Sequence, residues 1–191
     1  MKPLFSVFRP NPAVAETFRQ HLIRLRHYRA EQRGDELVTL GEEIAYTRSW
    51  TVLLELLQAH SWQVHLPREA VSKGYWLLPF TLQTILEELL LKGVSTPEPV
   101  VDVRILPEEG GSEAGGNAVC LAAGGPYLAV MYDRSGQRAL AADSAREAVP
   151  AGLVAIQQRY AQRTSRPVSI SQQEHQVHVK MPLLSDEFRY L

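Results

Sequence analysis

The chain has 191 residues, of which 45% are apolar, and a formal net charge of −1. This composition supplies an ordinary hydrophobic core and no strong overall field that would select nucleic acid or an anionic membrane. A single cysteine, Cys120, excludes an intramolecular disulfide framework. Neither an uninterrupted apolar run of about 18 residues nor a signal-peptide core is present, so we expect a cytoplasmic chain without a membrane span.

The first part of the chain is predicted to be helical. Prolines block a continuous helix in the first dozen positions, and apolar residues at a spacing of three to four then predict a basic helix from Pro12 to Arg33. A second helix is expected from about Leu40 to Ala59. The alternating segment "SWQVHLP" predicts a strand, and "KGYWLLP" is interpreted as a connector.

A leucine-rich helix is expected next, from about Phe80 to Lys92, with Gly93 as its C-cap. Glu87 and Glu88 interrupt this apolar sequence. Because neighbouring residues lie about 100° apart around a helix, one glutamate is expected to border the buried stripe while the other points away. The stripe itself consists of leucine and isoleucine at helical spacing, namely Leu82, Ile85, Leu86, Leu89 and Leu90.

The remainder of the chain changes to an alternating pattern. Strands are expected at "VVDVRIL", at two segments of "NAVCLAAGGPYLAVMYD", near "PVSIS" and at "QVHVKMP", with a helix at about Leu153–Gln162. The composition of "EEGGSEAGG" predicts a flexible loop. This order of elements predicts an α+β fold, with helices on one face of a mostly antiparallel sheet.

The histidines and the cysteine give little indication of a metal site or of a nucleophile. His175 and His178 are three apart on a predicted strand and would point to opposite faces, and Cys120 stands among small residues as a core filler. The arginine-rich first helix leaves binding of nucleic acid or of an acidic partner open. The net charge argues against a specialised nucleic-acid protein.

Four stretches follow one another in a distinctive order: "LRHYRAEQRGDELVTLGEEI" at 25–44, "LLPFTLQTILEELLLKG" at 77–93, "GLVAIQQRYAQRTSRPVSI" at 152–170 and "VHVKMPLL" at 177–184. Together they resemble the cytoplasmic part of Lyt-type sensor histidine kinases, whose partners are LytTR response regulators. That family shows a "vpLxxEl" segment, a proline-led "LPPxxLQxLvENAxKH" helix, a "GxGLxNixxRY" segment and a final strand that closes with "PLL".

The resemblance implies a two-layer α/β sandwich of the Bergerat type, which histidine kinases share with gyrase and Hsp90. It divides the chain into a helical segment at 1–60, similar to a truncated dimerisation and phosphoacceptor region, and an ATPase-like domain at 61–191. The family's phosphoacceptor histidine stands in "PHFLFN", where this chain has "KPLFSVF" at 2–8 and no histidine before His21. The stretch 107–126 has no counterpart in the family pattern.

The ATP-binding positions of the family are altered in this chain. Its Glu-Asn pair matches Glu87, the expected remnant of the general base, and Glu88, which replaces the asparagine that ligates Mg²⁺. A carboxylate can bind Mg²⁺, yet its charge beside a triphosphate is unfavourable by about 1 kcal/mol or more. The other degenerate ATP positions are Tyr132 and Asp133 in the "DxGxG" turn, and Pro150, Gly152 and Ala155 in the "GxGLxN" turn. Pro150 removes a backbone N–H from a turn that binds phosphate in the family.

We therefore expect a pseudokinase that signals by protein binding in a two-component pathway and requires neither a cofactor nor a metal. Its expected partner is a histidine kinase, a LytTR-type response regulator or a second copy of the chain, rather than nucleic acid. The expected contact surface lies on the first helix, at Phe18, Leu22, Leu25, Arg26 and Tyr28. The alternative is an active ATP-binding histidine kinase or ATPase, with Glu87 as base and Glu88 as ligand of Mg²⁺.

Overall fold

The computed structural model describes residues 11–32, 36–58, 63–68, 74–91, 100–107, 125–133, 149–173 and 176–185. Within these ranges the chain is α+β, with four helices, a five-stranded sheet and a two-stranded sheet. In chain order the elements are α1 Pro12–Glu31, β1 Val38–Thr39, α2 Leu40–Gln58, β2 Gln63–His65, β3 Trp76–Leu77, α3 Thr81–Leu86 with a π-helical turn at Glu87–Leu91, β4 Val100–Leu106, β5 Tyr127–Asp133, α4 Ala151–Ala161, β6 Ser169–Gln173 and β7 Gln176–Pro182.

Helix α1 begins where local chemistry specifies a helix start. The Asn11 side chain accepts from the backbone N–H groups of Ala13 at 3.1 Å and Val14 at 3.4 Å, and Pro12 occupies the first helical position. Both features satisfy or remove donors that a helix N-terminus leaves unpaired. The helix ends at Glu31, since Gln32 is extended. The sequence prediction of a helix beginning at Pro12 is confirmed.

The five-stranded sheet is mixed, with the strand order β2-β4-β5-β7-β6. All neighbouring pairs are antiparallel except β2 and β4, which are parallel. A parallel pair needs a long crossover, and the segment that carries β3 and α3 provides it. The predicted sheet was mostly antiparallel, as observed, but the sequence did not indicate the parallel edge strand.

The hydrophobic core lies between one face of this sheet and the helices. Alternate residues of the three central strands point into it, as the period of a strand requires. Helices α3 and α4 contribute to the same cluster. Its fully described members include Val101, Val103, Leu128, Val130, Val177, Val179 and Met181 from the strands, with Leu82, Ile85, Leu86, Leu153 and Ile156 from the helices.

A small sheet joins the N-terminal helices to the rest of the fold. Val38 of β1 pairs with Leu77 of β3, and Trp76 of β3 also forms a bridge with Leu184 near the C-terminal end of the described chain. The segment that was interpreted as a plain connector thus contains a strand. Side chains before and after residue 60 belong to one hydrophobic cluster, so the two predicted parts of the chain share a core.

The predicted first strand of "NAVCLAAGG", the loop "EEGGSEAGG", Gly93, Cys120 and His175 lie outside the described residues. In the part of the chain that the structure describes, no helix has the length and apolar character needed to cross a membrane.

Candidate functional site

The candidate site forms where the end of helix α3 meets the beginning of helix α4. Glu88 lies in the π-helical turn after α3, and its Oε1 atom accepts a hydrogen bond from the backbone N–H of Gly152 at 3.2 Å. Glu88 is buried, with 9% of its surface exposed. A carboxylate at this position compensates the positive end of the helix dipole. The chain therefore supplies its own anion to the N-terminus of α4.

Gly152 is required here by close approach of the glutamate. A Cβ atom added to Gly152 would lie 2.5 Å from Oε1, 2.9 Å from Cγ and 3.0 Å from Cδ of Glu88. Real Cβ atoms do not approach other heavy atoms so closely, so any larger residue at 152 must displace the Glu88 side chain. The pair Glu88 and Gly152 consequently acts as one packing unit although 64 residues separate them.

Pro150 is the residue at which helix α4 begins. It occupies the N-cap position with φ −52° and ψ 140°, and its carbonyl accepts from the N–H groups of Leu153 at 2.9 Å and Val154 at 3.1 Å. Proline has no N–H of its own to offer an incoming anion. Ala155, one turn further along α4, is exposed. Gly152 N–H, one of the backbone donors at this helix end, already binds Glu88.

The electrostatic consequence concerns any further anion at this helix end. Two unit charges 4 Å apart repel by ~1 kcal/mol in water and by ~4 kcal/mol near a protein surface. A phosphate that approached Gly152 would meet the Glu88 carboxylate at short range, and no second backbone donor from Pro150 would offset that repulsion. The arrangement disfavours phosphate binding while Glu88 stays in place.

Glu87 has different surroundings from its neighbour. It is half-buried, and its Oε1 atom accepts from Gln83 Nε2 at 2.5 Å. Gln83 Oε1 in turn accepts from the hydroxyl of Tyr46 on helix α2. The two adjacent glutamates thus face in separate directions: Glu88 binds α4, while Glu87 ends a hydrogen-bonded chain from α2.

Glu43, which the sequence analysis did not single out, is the most deeply buried carboxylate near the site. It is fully buried and accepts from Tyr28 Oη at 2.5 Å and from the backbone N–H groups of Leu82 at 2.9 Å and Phe80 at 3.1 Å. Burial raises the pKa of Glu43 to about 7, against the lowering effect of these hydrogen bonds and of Arg159. Glu43 therefore fixes the first turn of α3 and ties it to α1.

The residue before α3 is held in an unusual conformation. Phe80 has φ 62° and ψ 12°, the left-handed region that a bulky side chain rarely adopts. Its ring packs edge-on against Tyr28 at 5.4 Å and Tyr46 at 5.6 Å, and those two tyrosines stack at 4.4 Å. Such a conformation is unfavourable by ~1–3 kcal/mol unless the surroundings enforce it. The Glu43 bond and the aromatic cluster supply that enforcement.

A sequence signal for Glu43 was available. Leu40, Glu43, Ile44 and Thr47 follow the spacing of one helical face, and all four are buried. Glu43 thus stands within a buried helical stripe. Glu87 and Glu88 of α3 were singled out from the sequence, and Glu43 was not.

The remaining predicted ATP positions lie in or beside strand β5. The Tyr132 side chain is fully buried and belongs to the hydrophobic core, next to Val101 on β4 and Val177 on β7. Asp133 is the last residue of β5 and pairs with Gln176. A tyrosine ring therefore occupies core volume at the position that the resemblance assigned to an acid.

The predicted contact surface on α1 is only partly exposed. Leu22 is 41% exposed and Arg26 is exposed, while Phe18 and Leu25 are half-buried. Tyr28 is 8% exposed, so it lies in the interior and is not part of an exposed contact surface. Its hydroxyl bond to Glu43 explains why it turns inward. Ile23, which was not predicted, is 43% exposed beside Leu22.

Among the described residues, no group of three or more His, Cys, Asp or Glu side chains is arranged to hold a metal ion. The pairing of Glu88 with Gly152 thus remains the strongest candidate feature, and its chemistry is that of a helix end already neutralised by a carboxylate. Comparison of the chain with protein-family models and with curated proteins yields no match.

Proposed function

We propose that this chain is a degenerate histidine-kinase-like protein, a pseudokinase that acts by protein binding in a two-component pathway. The observation that supports this most is the bond from Gly152 N–H to the Glu88 carboxylate. In the proposal, Glu88 takes the place that a nucleotide phosphate takes in an active member of the family. The chain then keeps the framework of a nucleotide-binding protein and uses it as a rigid scaffold.

The proposal extends to the fold. The α+β arrangement, with helices α3 and α4 packed on the core face of a mixed sheet, is compatible with a Bergerat-type sandwich. In that interpretation α3 carries the former catalytic position, Glu87, and α4 begins at the former second glycine turn. The buried Tyr132 ring and the Pro150 cap are further support for a pocket that no longer fits ATP with Mg²⁺.

Titration of the purified chain with ATP and Mg²⁺ by calorimetry tests the first half of the proposal. We expect no saturable heat at micromolar nucleotide, and no transfer of labelled γ-phosphate to any histidine of the chain. The variant Glu88→Asn, which removes the charge, should bind nucleotide more tightly than the natural chain. Glu87→Asn is the matched control, because Glu87 bonds to Gln83 rather than to α4.

The same measurements separate the proposal from an active enzyme. If the natural chain binds ATP at micromolar concentration and hydrolyses it, and Glu87→Gln abolishes the turnover, then the chain is a kinase or ATPase that uses Glu87 as base. If no form turns over nucleotide, the scaffold role is supported. Salt-dependent binding to DNA through the arginines of α1 would point instead to a nucleic-acid partner.

The second half of the proposal is protein binding through helix α1. Leu22 and Ile23 are large apolar side chains that stay exposed among basic residues. An aspartate in place of Leu22 should weaken binding to the cytoplasmic portion of a Lyt-type kinase or to a LytTR regulator by tenfold or more, as measured by interferometry. Ile23→Asp serves as the control on the neighbouring face. Equal effects, or none, would remove the predicted face that contains Phe18, Leu22 and Leu25.

A further inference from the structure

A hydrogen-bonded group of three side chains lies on the outer face of the five-stranded sheet, opposite the core. Val101 and Val103 of β4 are buried in the core, so Asp102 and Arg104, which alternate with them, point to the outer face. His65 of the neighbouring strand β2 is the strand partner of Asp102 in the parallel pair. The fold thus places these three side chains together beside the edge strand of the sheet.

The carboxylate of Asp102 contacts both of its neighbours. Its Oδ1 atom lies 2.8 Å from His65 Nδ1, and its Oδ2 atom accepts from Arg104 Nη2 at 3.1 Å. A carboxylate accepts hydrogen bonds and donates none, so the neutral imidazole carries its proton on Nδ1. The lone pair of the ring is then on Nε2. The His65 side chain is 62% exposed, so a reagent in solution can reach the ring.

This arrangement makes Nε2 a nucleophile. When Nε2 forms a bond to an electrophile the ring becomes positively charged, and the Asp102 carboxylate at Nδ1 stabilises that charge. Asp102 is therefore a positioning residue, because it acts through the imidazole. Arg104 binds the other oxygen of the same carboxylate and is exposed, so its charge attracts an electrophile that is an anion.

We propose that His65 accepts a phosphoryl group from a phosphoramidate, the class of donor in which phosphorus is bonded to nitrogen. The lone pair of Nε2 forms a new N–P bond, the N–P bond of the donor breaks, and its electron pair leaves with the amine of the donor. The proton on Nδ1 stays on the ring, where it is bound by Asp102. The product is a phosphohistidine on the outer face of the sheet, with its negative charge next to Arg104.

The proposed reaction goes beyond the protein-binding role proposed above. The phosphoryl donor comes from outside the chain, and none of the three side chains takes part in the bond between Glu88 and Gly152. His65 is also distinct from positions 2–8, to which the resemblance assigns a phosphoacceptor. Calorimetry with ATP and phosphorylation by a phosphoramidate therefore test the two proposals independently.

Phosphorylation of the natural chain by phosphoramidate itself, stopped in alkali and mapped by mass spectrometry, tests the proposal without any substitution. His27 on α1 is the internal control, because its side chain is 75% exposed and its Nδ1 atom lies 3.9 Å from Glu31 Oε1, beyond hydrogen-bond distance. His65 should be phosphorylated at least about tenfold faster than His27. Equal rates at the two histidines, or a ³¹P spectrum that places the phosphoryl group on Nδ1 of His65, would overturn the proposal.

Two variants separate the roles of the neighbouring side chains. Asp102→Asn should lower the rate at His65 to that of His27, both with phosphoramidate and with the neutral reagent diethyl pyrocarbonate, because the carboxylate acts on the ring itself. Arg104→Gln should slow the reaction with phosphoramidate several-fold and leave that with diethyl pyrocarbonate unchanged, because its charge acts on the anionic donor. Glu31→Gln removes the carboxylate nearest to His27 and is the matched control, with no change expected at either histidine.

The position of the imidazole proton gives a readout that a loss of folding does not mimic. Long-range ¹H–¹⁵N spectra of the neutral His65 ring should show the proton on Nδ1 in the natural chain and a mixture of both tautomers in Asp102→Asn. An unchanged rate at His65 in Asp102→Asn, or a proton on Nε2 in the natural chain, would equally contradict the proposal.

Discussion

Replacing Gly152 by alanine should destabilise the protein, although alanine normally stabilises a helix. Gly152 is the second residue of α4, and a change from glycine to alanine inside a helix gains up to ~1 kcal/mol. The added Cβ would stand 2.5 Å from Oε1 of Glu88 and must displace that side chain. Overpacking of this kind is unfavourable by ~1–3 kcal/mol. The expected net effect is a loss of ~0–2 kcal/mol in the free energy of unfolding.

The sign should reverse when Glu88 is shortened. Glu88→Ala removes Cγ, Cδ and Oε1, which are the three atoms that the new Cβ would meet. In that background Gly152→Ala should stabilise the protein by ~0.5–1 kcal/mol, because only the helix preference remains. The double-mutant cycle thus predicts a coupling energy of at least ~1 kcal/mol between the two positions.

Urea unfolding followed by tryptophan fluorescence measures each member of the cycle, with midpoint shifts compared at constant m-value. Gly152→Ala combined with Glu87→Ala is the matched control and should be additive within ~0.5 kcal/mol, since Glu87 bonds to Gln83. Additive effects at Glu88 and Gly152 would contradict a contact between this carboxylate and the N-terminus of α4.

Three further outcomes follow from the described contacts. Burial raises the pKa of Glu43 from 4.5 to about 7, so the folded form binds the carboxyl proton more tightly than the unfolded form. The free energy of unfolding should therefore fall by ~3 kcal/mol as the pH rises from the lower to the higher value. Chemical denaturation at each pH should show that this pH dependence is missing in Glu43→Gln. Asn11→Ala removes the side-chain cap of α1 and should lower the helical stability by ~1 kcal/mol, measured as faster amide exchange in the first turn. Arg166→Lys keeps the charge but loses the planar group that donates to the carbonyls of Gly125, Pro126 and Leu183, so a loss of ~1–3 kcal/mol is expected in thermal unfolding; an unchanged midpoint would contradict it.

The helices and alternating strands could be predicted because their signals are local. The spacing of apolar residues in α1, α2 and α4 and the period of two in β4 and β7 depend only on near neighbours in sequence. Strands β1 and β3 have two residues each and pair across nearly 40 positions of sequence. Their hydrogen bonds, and the parallel pairing of β2 with β4, are tertiary contacts that short patterns do not encode.

The candidate site shows the same division. The sequence directed attention to Glu88 and Gly152, and the structure brings both together. It did not predict that the carboxylate binds the glycine N–H, since that bond depends on how α3 and α4 pack. The burial of Glu43 had a sequence signal, but its hydrogen bonds had none, because its partners Tyr28, Phe80 and Leu82 come from α1 and from the start of α3. Tyr28 was assigned to a surface for the same reason, as its apolar spacing does not reveal what its hydroxyl binds.

The backbone amide of Gly152 offers a direct test of the proposal that Glu88 replaces a phosphate at the start of α4. Its ¹H–¹⁵N resonance can be followed while ATP and Mg²⁺ are added to the isotope-labelled natural chain. We expect this resonance to stay in place up to millimolar nucleotide. In Glu88→Asn it should shift with added nucleotide. A saturable shift in the natural chain at micromolar ATP would show that the helix end still accepts phosphate, contrary to the proposed role of Glu88.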